Sequence, residues 1–96
     1  MADTLDELVE LQRAADKAQD RAGELRAAFG PPAVEPWTEG QRSTYETAWR
    51  AWRDLDRDIK DAITRYAKRE TLDRATVERT VRARVEGRPD EASDDG

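Results

Sequence analysis

The chain has no cysteine and no histidine among its 96 residues. That excludes disulfides, thiolate nucleophiles, zinc-finger ligand sets and every catalytic triad built on imidazole. Five glycines and four prolines leave few points at which a helix must break. Gly30, Gly40 and Gly87 each stand alone, so nothing approximates a phosphate-cradling loop. No apolar run approaches the roughly 18 residues of a spanning helix. Met1-Ala2-Asp3-Thr4 provides neither a basic n-region nor an apolar h-region. The expectation is a cytoplasmic protein that does not bind membranes, needs no cofactor and holds no metal.

Charged residues make up 41% of the chain and hydrophobic ones 36%. Fifteen of the hydrophobic residues are alanine, leaving 20 larger apolar side chains. That suffices for a narrow seam between helices, not for a three-layer α/β core. With so few breakers, the profile predicts an all-α fold of long, solvent-exposed helices.

Periodicity places the helices. Leu8, Leu11, Ala15, Ala18, Ala22, Leu25 and Phe29 step alternately by three and four, an a/d seam within a helix over 4–29. Thr4 with Glu7 reads as a capping box, and Gly30-Pro31-Pro32 as the stop, with glycine in a left-handed cap. Residues 30–38 form a proline-rich loop, stiff rather than floppy. Thr38 with Gln41 is a second capping box, opening a helix over 39–70 about 48 Å long. Its seam is Tyr45, Ala48, Trp52, Leu55, Ile59, Ala62 and Tyr66, widened by Trp49 and Ile63. Bulky residues here complement the alanines of the first helix, which predicts a long antiparallel hairpin. A short third helix over 73–86 follows, capped by Asp73 and carrying a Val77, Val81, Val85 stripe. Residues 1–88 thus read as one domain, and 89–96 as an acidic, disordered tail.

The net charge of −5 is unevenly placed. Residues 1–63 carry 9 basic against 14 acidic side chains, whereas residues 64–88 carry 8 against 4. Such a basic end to the chain is either a phosphate-binding face or a surface helix whose arginines pair with the acidic hairpin. Asp54, Asp58 and Asp61 interleave with Arg53, Arg57, Lys60 and Arg65, which predicts an ion-pair ladder rather than an acid/base site. Ser43 has no base to activate it, and an enzyme is not expected.

Trp49 and Trp52, three residues apart, cover adjacent sectors of the second helix, more than one partner helix can bury. Either the third helix or a second copy of the chain must cover Trp49, whose loss would then cost about 3–5 kcal/mol. Arg50 and Arg53 stand close enough to stack on the indoles. Tyr45, Trp49 and Trp52 are the candidate protein interface, and a homodimer is the expected assembly.

Residues 59–86 resemble a repressor-type helix-turn-helix unit through Ala67, Leu72, Asp73 and Val77. The resemblance implies DNA binding, with 73–86 as recognition helix and Arg74, Ala75, Glu78 and Arg79 on its exposed face. Arg82 and Arg84, further along, would serve the DNA backbone. Thr71 replaces the usual glycine of the turn, and Thr80 a usual apolar residue. The hairpin is also similar to the WXG family of secreted helical hairpins, through Trp37 and Gly40 at the turn and Tyr66 and Glu70 after it. That resemblance implies export by a specialised secretion system, with these four residues dispensable for folding. The overall style is similar to short uncharacterised proteins of high-GC bacteria and their phages. The function expected is that of a small non-enzymatic interaction protein, an adaptor or regulator binding another protein. DNA regulation through the third helix and WXG-type export are the alternatives.

Overall fold

The computed structural model describes residues 3–87, so the predicted acidic tail lies outside the described residues. Three helices form in order, α1 (Leu5–Phe29), α2 (Glu39–Glu70) and α3 (Arg74–Val85), with no strand among the described residues. The fold is all-α, and its longest dimension, 51 Å, matches the length of α2.

Both predicted capping boxes form. The Thr4 hydroxyl accepts from the Glu7 backbone N–H, and the Glu7 carboxylate accepts from the backbone N–H groups of Asp3 and Thr4. Those donors hold Glu7 below the usual carboxylate range, the Asp3 N–H contributing most. Thr38 and Gln41 repeat the arrangement at α2. Gly30 ends α1 with φ +78 but ψ 175, so the cap has the positive φ that favours glycine without being left-handed helical. In the loop, Pro31 O accepts from the N–H groups of Val34 and Glu35. Trp37 then packs edge-on against Phe29 and Tyr45, with centroids at 5.5 and 5.2 Å, and its indole N–H donates to Gly30 O at 2.7 Å. This aromatic clasp closes the hairpin, so Trp37 is a folding residue whatever else it does.

At the other end, α2 turns into α3 through Thr71, which adopts φ 57, ψ 47. The Leu72 N–H donates to Ala67 O at 2.8 Å and the Thr71 N–H to Lys68 O at 3.4 Å, a Schellman closure. A β-branched residue is poorly suited to this region, yet the turn takes it, because the two hydrogen bonds and the seating of α3 over-determine the backbone. Thr71→Gly is therefore expected to raise stability by about 0.5–1 kcal/mol, relief of strain exceeding glycine's extra unfolded-state entropy. Urea denaturation checks the sign; a loss of stability would mean that Thr71 does not occupy the left-handed region.

The core lies where all three helices meet. Leu8, Val9 and Ala15 from α1, Ile59, Ala62, Ile63 and Ala67 from α2, and Val77 and Val81 from α3 form one buried cluster. Both seams and the valine stripe supply it, as their spacing requires. One ion pair ties the start of α1 to the end of α2: Arg69 donates to the Asp3 carbonyl and approaches its carboxylate at 3.7 Å.

Candidate functional site

The proposed recognition helix is held to the hairpin by three of the arginines assigned to DNA, Arg74, Arg82 and Arg84. Arg82 Nη1 and Nη2 donate to both oxygens of Asp16 on α1, at 2.8 and 3.4 Å, while Gln12 Nε2 donates to the same carboxylate at 3.0 Å. Burial alone would push Asp16 up, but the donors and the charge of Arg82 outweigh it and its pKa is lowered. Arg82 is correspondingly raised, chiefly by the Asp16 bond. Arg84 reaches Asp6 at 3.3 Å, and Arg13 donates back to Arg84 O at 3.4 Å. Arg74 bonds Thr64 Oγ1 and Glu78, both at 3.0 Å. Arg74, Ala75, Glu78 and Arg79 are exposed.

Both members of the Arg82–Asp16 pair remain partly solvated, with side-chain exposures of 43% and 31%, so its contribution is at most about 1 kcal/mol. The sign of its pH dependence follows from the depressed Asp16 pKa. The contribution is present above the unfolded carboxylate value of about 3.9 and is lost as pH falls through the lower folded value. Asp16→Asn is thus expected to be less stable than wild type at neutral pH, and the gap to close in strong acid. Paired urea titrations along that range check this, and a pH-independent gap would contradict it.

One expectation at the α2–α3 junction, the Asp73 cap, needs correction. Leu72, the apolar residue that follows the turn, is 48% exposed. Asp73 stands at the N-cap position of α3, but its side chain makes no capping hydrogen bond. The Asp73 carbonyl accepts the first intrahelical bond, from the Val77 N–H at 3.2 Å. Thr80, in the place of an apolar residue, bonds Thr76 O at 3.0 Å and stays half-buried.

The candidate protein interface divides. Tyr45 and Trp52 are half-buried in the seam, whereas Trp49 is 39% exposed. The third helix does not cover Trp49, because α3 sits two heptads away. Ile63, at the heptad position of Trp49, is buried in the cluster that includes Val77 and Val81. At the uncovered end Arg53 stacks on the Trp49 ring, 4.8 Å from its centroid.

Nothing among known protein families, curated proteins or solved structures matches this chain.

The remaining residues of interest are dispersed. Gly40 lies in the first turn of α2, Glu70 pairs with Arg69 at 3.3 Å, and Arg69 also lies over the Tyr66 ring. Trp37, implied by the WXG resemblance to be dispensable for folding, is instead the centre of the clasp described above. The expected aspartate ladder is incomplete. Arg57 pairs with Asp54 at 3.2 Å and Lys60 with Asp56 at 2.9 Å, but Asp58 and Asp61 make no ion pair among the described residues. Sequence reasoning also gave Asp16 and Asp6 no role. Their partners lie 66 and 78 positions away, and no local spacing links them. No group of His, Cys, Asp and Glu suited to a metal ion occurs among the described residues, and no helix there is long and apolar enough to cross a membrane.

Proposed function

We propose that this is a small, non-enzymatic, cytoplasmic interaction protein that acts through protein contacts, with the Trp49 end of the hairpin as its interface. The observation that carries this reading is the partial exposure of Trp49 beneath a stacked arginine. Tryptophan and arginine are the residues most enriched at interface hot spots, where a rigid indole removes large area from water at little entropic cost. The lone hairpin end has only two layers, so a third helix supplied from outside completes it as α3 completes the other end. A second copy of the chain is the simplest supplier. A photo-crosslinking residue placed at Trp49 in the native host should therefore give a protein adduct, at twice the 10.9 kDa chain mass if the partner is a second copy. Recovery of the uncrosslinked chain alone would refute the reading. Light scattering should show the corresponding mass, reduced in Trp49→Ala.

DNA binding through α3 is a second reading. Its support is the left-handed turn at Thr71, which joins α2 to α3 as a repressor turn joins its helices, with Arg74 and Arg79 outermost. Against it, Arg82 and Arg84 are engaged by Asp16 and Asp6. On this reading Arg74→Ala with Arg79→Ala abolishes specific binding at unchanged helicity, and wild-type binding falls by orders of magnitude between ~50 and ~200 mM salt. A folded protein that binds no genomic fragment at the lower salt rules it out.

A further inference from the structure

The side of the hairpin that α3 leaves open holds a groove of about 750 Å³ between α1 and α2, and no α3 residue lines it. Its floor is apolar, made by Leu11 and the small Ala14 of α1 and the small Ala62 of α2. Small floor residues let a helix backbone approach closely. The rim is acidic. Asp6, Glu7 and Glu10 line one side and Asp58 and Asp61 the other, with Arg65 as the only basic lining residue among the described residues. Three of these carboxylates already have work within the chain: Glu7 in the capping box, Glu10 with Arg13 at 2.8 Å, and Asp6 with Arg84. The side chains of Asp58 and Asp61 make no hydrogen bond or ion pair among the described residues, and both flank the apolar floor.

We infer that this groove docks a basic amphipathic helix of a partner protein, an inference that rests on the adaptor reading and adds a second contact site to it. Charge complementarity selects the occupant. A helix with a small apolar stripe and flanking arginines matches the floor with its stripe and Asp58 and Asp61 with its charges. The hairpin already seats one helix of this make: α3 lays Val77 and Val81 against the core and reaches Asp16 and Asp6 with Arg82 and Arg84. Other occupants fit less well. The chain's own residues 89–96 carry four carboxylates and no basic residue, so the acidic rim repels them. A second copy is net −5, and its basic helix is already bound to its own hairpin.

The test uses the full chain and three synthetic peptides of about 18 residues, long enough to form helix on binding. One carries a Leu/Ala stripe flanked by arginine; one has glutamate in place of every arginine; one keeps the arginines but is interrupted by proline. The arginine helix should bind at low salt and weaken as salt rises. The other two should bind at least about tenfold more weakly, since one lacks charge complementarity and the other lacks the helix. Asp58→Lys with Asp61→Lys should lower affinity for the arginine helix at least about tenfold, with unchanged or higher Tm because the acidic face loses self-repulsion. No binding at low salt, equal binding of the proline-broken peptide, or equal affinity of the double variant would each overturn the groove. A change in oligomeric mass in the double variant, with no change in peptide affinity, would also overturn it, in favour of a second copy. Crosslinking from Trp49 is read separately. An adduct retained in a double variant whose peptide affinity is unchanged leaves the adaptor reading standing without this site, and loss of all adducts from wild type removes that reading itself.

Discussion

Val81→Asp is expected to unseat α3 while leaving much of the hairpin helical. Val81 is 1% exposed and packs in the three-helix cluster, with no polar partner available for a carboxylate. An uncompensated buried charge costs several kcal/mol. The seat of α3 rests on Val77, Val81 and Ala83 and on two arginine pairs, each worth at most about 1 kcal/mol where partly solvated. The penalty exceeds what holds the helix down, so the cheapest relief is to release its 12 residues into water. Native-state hydrogen exchange should show α3 amides losing protection, and circular dichroism a loss of helix comparable to that segment. Tm falls as well, because Ile63 and Ala67 lose their cover. Wild-type protection in α3 would mean that the valine stripe is not what anchors it. The same variant bears on the DNA reading, since a recognition helix without its seat cannot enter a groove in a defined orientation.

The second large effect is a gradient along the hairpin. Leu8 is fully buried where three helices converge, whereas Leu25, also in the seam and buried, lies at the two-helix end. Leu8→Ala leaves a cavity walled on every side, which neighbours from three helices cannot all collapse into. Its cost is expected near the top of the usual range, about 3–5 kcal/mol. Leu25→Ala opens to a thinner layer that relaxes or admits water, and about 2 kcal/mol is expected. For a domain of this size each kcal/mol shifts Tm by roughly 4–8 °C, so thermal melts separate the two variants readily. Equal losses would show that the two ends are equally packed, and would require Trp49 to be covered in solution more fully than α3 can manage. A dimer closing the open end produces that outcome, which links this measurement to the interface proposed above.

Local sequence determined the helices. The two heptad seams, the boxes Thr4–Glu7 and Thr38–Gln41, and the stop at Gly30 each depend on residues within a few positions of one another. Helix boundaries and the hairpin follow from those short spacings, because capping and periodicity are local physics. Tertiary structure decided which sides of those helices are closed. Trp49 and Ile63 occupy the same heptad position, and nothing in the pattern distinguishes them; only the length and direction of α3 bury one and expose the other. The basic character of α3 was legible, but its meaning was not. Whether Arg82 faces a phosphate or Asp16 depends on a contact 66 residues away, set by how α3 crosses α1. Thr71 shows the same division. Its intrinsic preference opposes the left-handed turn, and the seating of α3, worth more than the strain, imposes it. Asp58 and Asp61 read as members of an ion-pair ladder along α2, yet they make no such pair among the described residues. An i,i+4 pair is worth only a few tenths of a kcal/mol, too little to dictate which rotamer an exposed side chain adopts.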